Sequence, residues 1–182
     1  MEAGARMFYP VQVVDGHVTA TGGQPLRKYL KAIREISDGV RCPVGRAVLS
    51  PALGNLHRHY RVIAHAVAPS RSDADWRSAL EGCYQDALEQ LWFPEKGPKV
   101  EGEKSEGWRH EVHARVVATP LLGAGAKLAS VGEAAEVAAK VLASIEPPPP
   151  HGADADSQCV VRLGLLDKSI AEEVVSALES VL

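Results

Sequence analysis

Five short apolar runs alternate along this chain with amphipathic stretches of helical period, and that alternation leaves few folds open. The runs are Met7 to Val14, Arg46 to Ser50, Tyr60 to Ala68, Glu111 to Ala118 and Cys159 to Leu166. Their length and β-branched content read as strands. After the first, Pro25 suits the opening turn of a helix, and Leu26, Tyr29, Leu30, Ile33 and Ile36 repeat at helical spacing as far as Asp38-Gly39. A second helix is expected from a Ser72-x-x-Asp75 capping box to about Trp92, with Trp76, Ala79, Leu80, Cys83, Ala87, Leu88 and Leu91 inward and Tyr84 on the border. Ser130-x-x-Glu133 and Ser169-x-x-Glu172 announce two more. The order β-α-β-β-α-β-α-β-α predicts an α/β fold: a three-layer α-β-α sandwich around a mixed, largely parallel sheet of about five strands.

A length of 182 residues fits one domain spanning 1–182. Two segments near 94–108 and 146–158, the second holding Pro147 to Pro150, lack periodicity and read as exposed loops. Apolar residues at 46% and charged residues at 24% exclude a disordered chain. His65 interrupts the run Val62 to Ala68, no run is long enough to span a bilayer, and Met1 to Arg6 does not begin a signal peptide. The net charge of −3 argues against broad nucleic-acid binding but leaves room for a local phosphate site. Cys42, Cys83 and Cys159 are widely spaced and odd in number, which suits free thiols in a reducing, intracellular compartment, cytoplasmic or nuclear.

Ligands of open α/β sheets bind beyond the carboxyl ends of strands, beside helix N-termini. Two glycine-bearing connections occupy such places: Asp15 to Pro25, with Gly22-Gly23, and Thr119 to Lys127, with Gly123 and Gly125. In the second, glycines allow close backbone approach, the following helix offers unpaired N–H groups, and Lys127 adds charge. Two readings stay open: a phosphate cradle, or a tight turn of small residues. Asp15, at the expected strand end, is the carboxylate to consider as a general base, against an Asx turn with Gly16. His65 reads as a core histidine. His57 and His59 read as surface residues, and His110 and His113, three apart on a strand, face opposite ways. Ser50 and Ser130 show no base partner. No metal site and no cofactor are expected.

Larger blocks carry a resemblance. Cys42-Pro43-Val44-Gly45-Arg46-Ala47, followed by Val62-Ile63-Ala64-His65-Ala66-Val67-Ala68-Pro69, resembles the central strands of macro domains. Leu80-Glu81-Gly82-Cys83-Tyr84 is similar to the family's next helix, and Val117 to Gly125 to its phosphate loop. Gly22-Gly23 is similar to the glycine pair of its first ligand loop. The resemblance implies a macro domain fold with a shortened N-terminus and a cleft for ADP-ribose or another phosphate-bearing small molecule. Gly22 and Gly23 would line the distal ribose and diphosphate, and Leu122, Gly123, Ala124, Gly125, Ala126 and Lys127 would wrap the phosphates. The chain departs from the family where a ribose-binding Asn is usual, since Asp15-Gly16 stands there. It departs again after the phosphate loop, where Lys127-Leu128-Ala129 replaces an aromatic and a glycine. Binding of ADP-ribose is therefore the first expectation. The alternatives are an ADP-ribosyl hydrolase or phosphoesterase using Asp15 and a bound water, and a scaffold with a decayed pocket that acts through protein contacts.

Overall fold

Strands form at four of the five apolar runs. The computed structural model describes residues 14–93, 114–147, 159–165 and 168–181. Strand β1 (Ala47–Pro51) pairs antiparallel with β2 (Val62–Ala66), Leu49 opposite Ala64, and β3 (Val116–Pro120) pairs parallel with β4 (Val160–Gly164), Ala118 opposite Arg162. Ala47 to Ser50 are all buried, as a strand covered on both faces requires, whereas β4 alternates exposed and half-buried residues. Among the described residues the strands thus number four. The rest of the expected first strand, residues 7–13, lies outside them, as do residues 94–113 and 148–158, which hold most of both expected loops.

Among the described residues four helices accompany the strands: α1 (Val14–Ala32), α2 (Trp76–Trp92), α3 (Val131–Ser144) and α4 (Lys168–Glu179). The largest core cluster joins Trp76, Leu80, Cys83 and Tyr84 of α2 to Ala134, Val137, Ala138 and Val141 of α3, with Val174 of α4 behind. A second gathers Leu49, Leu88, Leu91, Trp92 and Val117 between α2 and the strands. Tyr84, Gln90 and Trp92 are buried although the expected stripe of α2 stopped short of them. A helix lying over a strand pair on one side and another helix on the other buries a wider arc than one apolar stripe.

The N-terminal region departs most from expectation. Val14, read as a strand end, and His17 to Gln24, read as a polar loop, belong to α1. Val18, Gly22 and Leu26 fall at four-residue intervals, and Val18 and Leu26 pack with Ala52 and Leu56. Gly16, Gly22 and Gly23 hid this face, because each glycine costs a helix interior about 1 kcal/mol relative to Ala. At Gly23 the backbone leaves helical geometry (φ 59°, ψ −151°), a region open essentially to glycine alone. That break lets Pro25 sit on a fresh first turn, where its ring has no preceding helical carbonyl to strike. The helix ends at Ala32, earlier than Asp38-Gly39, so Ile36 lies beyond it and is exposed.

Helix starts also differ. Ser72 does not cap α2: Asp75 is the N-cap residue, and the carboxylate of Asp73 instead accepts the Ser70 amide in the preceding turn. Ser130 and Glu133 do form the expected reciprocal capping box on α3, each side chain accepting the other's amide at 3.2 Å. Ser169 is the second residue of α4 and lies inside the helix it was expected to cap.

Candidate functional site

The connection from β3 to α3 carries the strongest candidate. It leaves the strand at Pro120, turns through Gly123 (φ 85°), makes a short 3-10 turn over Gly125–Lys127 and enters α3 at its Ser130 cap. Its near end is fixed to α2: the Leu122 amide donates to the Tyr84 hydroxyl at 2.8 Å, and Gly123 lies against Leu80 so closely that a Cβ there would meet Leu80 Cδ2 at 2.9 Å. Its far end is fixed by Arg71, whose amide donates to the Lys127 carbonyl at 2.8 Å. The Arg71 guanidinium also pairs with Glu133 at 3.0 Å, so one residue ties the loop to the capping box that follows it. Arg71 and Arg77 both lie over the buried Trp76 ring, 4.8 and 4.7 Å from its centroid. The Arg71 guanidinium, with the Ser130 hydrogen bonds, holds the Glu133 carboxyl below its ordinary range.

Within the loop the Ala129 amide donates to Gly123 O and the Leu128 amide to Gly125 O. The amides of Gly123 and Ala124 have no partner among the described residues. Gly125 has a left-handed backbone (φ 73°), and a Cβ built there would meet nothing within 4 Å. Unlike Gly123, this glycine is not demanded by packing, and its Cα borders open space. Lys127 is half-buried. Burial pushes the Cys83 thiol, beneath the loop on α2, up to about 11. Backbone donors beside an open glycine, with a lysine in the same loop, suit an anion such as a phosphate.

The first glycine pair has other surroundings. Gly22 is buried, and a Cβ there would strike Leu26 at 2.5 Å; a Cβ on Gly54 would meet the Gly22 carbonyl oxygen at 2.4 Å. Gly22 therefore serves a close approach between α1 and the 3-10 turn Gly54–Arg58, and Gly23 serves the helix break. Asp15 is exposed in the first turn of α1, where the helix dipole favours a carboxylate, and not at the end of a strand.

Ser50 has a partner that its sequence neighbourhood does not reveal. Its Oγ lies 2.8 Å from His65 Nε2, across the β1–β2 pair. Ser50 is fully buried, His65 is half-buried, and burial pushes the His65 imidazole down to about 4, so the pair is held neutral between the strands. Register explains the pairing: Ser50 lies opposite Ile63, which brings His65 to the diagonal position on the same face. His57 and His59 are exposed, and no group of three or more metal-ligating side chains occurs among the described residues. His110 and His113 lie outside them.

Comparison with known proteins gives a consistent picture. The family model described as Macro domain matches residues 7–138. A macro domain-containing protein in the sno 5' region of Streptomyces nogalater is 30% identical over 130 residues, covering 71% of this chain and 60% of the relative. The chain thus spans less than two thirds of that relative's length. Two solved structures of the Oceanobacillus iheyensis macrodomain, a point mutant with ADPR and a form with ADP, each superpose with a TM-score of 0.67 at 18% identity. Each covers 93% of this chain, and the chain covers 77% and 76% of them respectively. At that identity the superposition establishes the fold: this is the α/β architecture of a macrodomain.

Proposed function

Because the chain belongs to the macro domain family, we propose that it binds ADP-ribose or a closely related phosphate-bearing nucleotide, with the diphosphate seated on the β3–α3 loop. The observation that carries this reading is the loop itself: two unpartnered amides, at Gly123 and Ala124, beside a glycine whose Cα borders open space. In this reading Gly123, Ala124, Gly125 and Ala126 follow the phosphates with their backbone, and Lys127 adds a charge-assisted contact. Leu122 anchors the loop, since its amide is already held by Tyr84. Gly22 and Gly23 shape the turn that borders the distal ribose. The macrodomain structures carrying ADPR and ADP support the choice of ligand.

Binding is favoured over hydrolysis because little converges on Asp15. Among the described residues no side chain hydrogen-bonds its carboxylate. Ser50 and His65 are committed to each other, and Ser130 to the α3 cap. The natural setting of the chain is read as intracellular, where nucleotides are found; no described helix is long and apolar enough to cross a membrane.

Isothermal titration calorimetry with ADP-ribose tests the proposal. The expected result is saturable one-to-one heat with a Kd below about 1 mM. Absence of heat at millimolar ligand would overturn it.

A further inference from the structure

Charge is spread unevenly along this chain. Residues 16–72 hold nine Lys and Arg against two acids, Glu35 and Asp38, although the whole chain carries −3. A net charge that weighs against broad nucleic-acid binding therefore conceals a basic region. Glu35 is already engaged: Arg41 pairs with it at 2.5 Å and also donates to the Lys31 carbonyl at 3.3 Å. On α2, α3 and α4 every Lys and Arg meets an acid: Arg77 meets Glu133 and Glu136, Lys140 meets Glu81, and Lys168 meets Glu172. Arg27, Lys28 and Lys31 of α1, Arg34 just past its end, and Arg58 and Arg61 between β1 and β2 are different. All six are exposed, and none has an ion pair among the described residues. Unpaired like charges repel one another, a cost that an anionic partner removes.

Packing brings the two basic segments together. Leu26 and Leu30, the residues before Arg27 and Lys31, pack with Ala52, Leu56 and Ile63. The 3-10 turn Gly54–Arg58 thus lies on α1, and it opens into the run His57-Arg58-His59-Tyr60-Arg61. That run is held by its backbone: the His59 and Tyr60 amides both donate to Leu56 O at 3.0 Å, and Arg61 O accepts from the Ala52 amide at 3.0 Å. Tyr60 is 49% exposed and meets the exposed His59 ring in a T-shaped contact, with centroids 6.3 Å apart. Such a contact occupies at most one face of one ring. Aromatic surface is therefore left open between two arginines, on a base that needs little ordering.

We propose that this face, formed by α1 and the β1–β2 connection, binds single-stranded nucleic acid, with its phosphates on the six unpaired cations and a base stacked on Tyr60. The exposed ring between the charges selects this partner. A duplex keeps the faces of its bases stacked inside, and an acidic peptide brings carboxylates without flat rings to match. An unpaired strand supplies both phosphates and open ring faces. The surface shares no residue with the β3–α3 loop, so the inference stands independently of ADP-ribose binding.

The experiment follows the fluorescence anisotropy of a dye-labelled oligouridylate, about 16 nucleotides long, as the full chain is added. Saturable binding is expected at low salt, weakening about fiftyfold between about 50 and 200 mM salt as some four phosphates are neutralised. The double variant Arg58→Gln, Arg61→Gln should weaken binding about tenfold and flatten that salt dependence. Tyr60→Ala should weaken it about tenfold with the salt dependence unchanged, the signature of lost stacking. All three side chains are exposed, so the variants should melt with the parent. No binding at low salt overturns the inference, as does a Tyr60→Ala affinity within twofold of the parent. Equal affinity for the matching duplex, or equal competition by polyglutamate of the same charge, overturns it in favour of a partner recognised by charge alone. Displacement of the strand by saturating ADP-ribose also overturns it, because the strand would then be held at the β3–α3 loop.

Discussion

The hydroxyl of Tyr84 accepts the backbone amide of Leu122 at 2.8 Å, so the middle of α2 holds the start of the β3–α3 loop. Tyr84 is buried, and burial pushes its phenol up to about 12, so the hydroxyl stays protonated throughout the physiological range. Tyr84→Phe keeps the ring and removes the acceptor, leaving a partly buried N–H unpaired. The expected cost is about 1–3 kcal/mol, read as a lower midpoint in urea unfolding with an unchanged slope. An unchanged midpoint would show that the amide finds another partner.

The pairing of His65 with the buried Ser50 makes stability depend on pH. His65 is pushed from 6.5 down to about 4 by burial, so between these values the unfolded chain binds a proton that the folded chain does not. Stability from this group is present above pH 6.5 and is lost as pH falls toward 4, by about 3 kcal/mol in total. In His65→Gln, which cannot titrate, denaturation midpoints should flatten across that window. A pH profile identical to the parent's would remove His65 as the source.

Helix α3 depends on its cap. Ser130→Ala removes the side-chain acceptor for the Glu133 amide. The expected loss is about 1 kcal/mol, or roughly 2–4 °C in Tm for a chain of this size. Thermal unfolding followed by circular dichroism checks it, and no shift would show the capping box to be idle.

How far the sequence foretold this structure varied from element to element. The strand at Ala47–Pro51 follows from a short apolar run, that at Val62–Ala66 from a β-branched run closed by Pro69, and α3 from an apolar repeat behind a Ser-x-x-Glu box, because those signals are local. The helix over Val14 to Gly22 was illegible, since three glycines mask a face that only the Gly54–Arg58 turn completes. The Ser50–His65 contact was hidden for a related reason: it depends on strand register, which joins residues 15 apart in sequence. The β3–α3 loop was found from its glycines, but their roles separate only in three dimensions. Gly123 is required by Leu80, whereas Gly125 faces open space.

Those packing differences predict contrasting glycine substitutions. Gly54→Ala places a Cβ 2.4 Å from the Gly22 carbonyl oxygen, a backbone atom that cannot swing aside. It should destabilise by more than about 2 kcal/mol. Gly125→Ala meets no atom within 4 Å and incurs only left-handed strain, about 1 kcal/mol. Its larger effect should fall on ADP-ribose affinity, because the added methyl occupies the ligand's approach. Chemical denaturation and calorimetry on both variants check the contrast, and equal destabilisation would contradict it.

The central claim, that the β3–α3 loop holds the phosphates of ADP-ribose, is tested most directly by a crystal structure of the protein soaked with that ligand. The account predicts diphosphate oxygens within hydrogen-bond distance of the Gly123 and Ala124 amides, beside the Gly125 Cα. Ligand density elsewhere on the protein, or a loop closed onto itself with the ligand excluded, would contradict it.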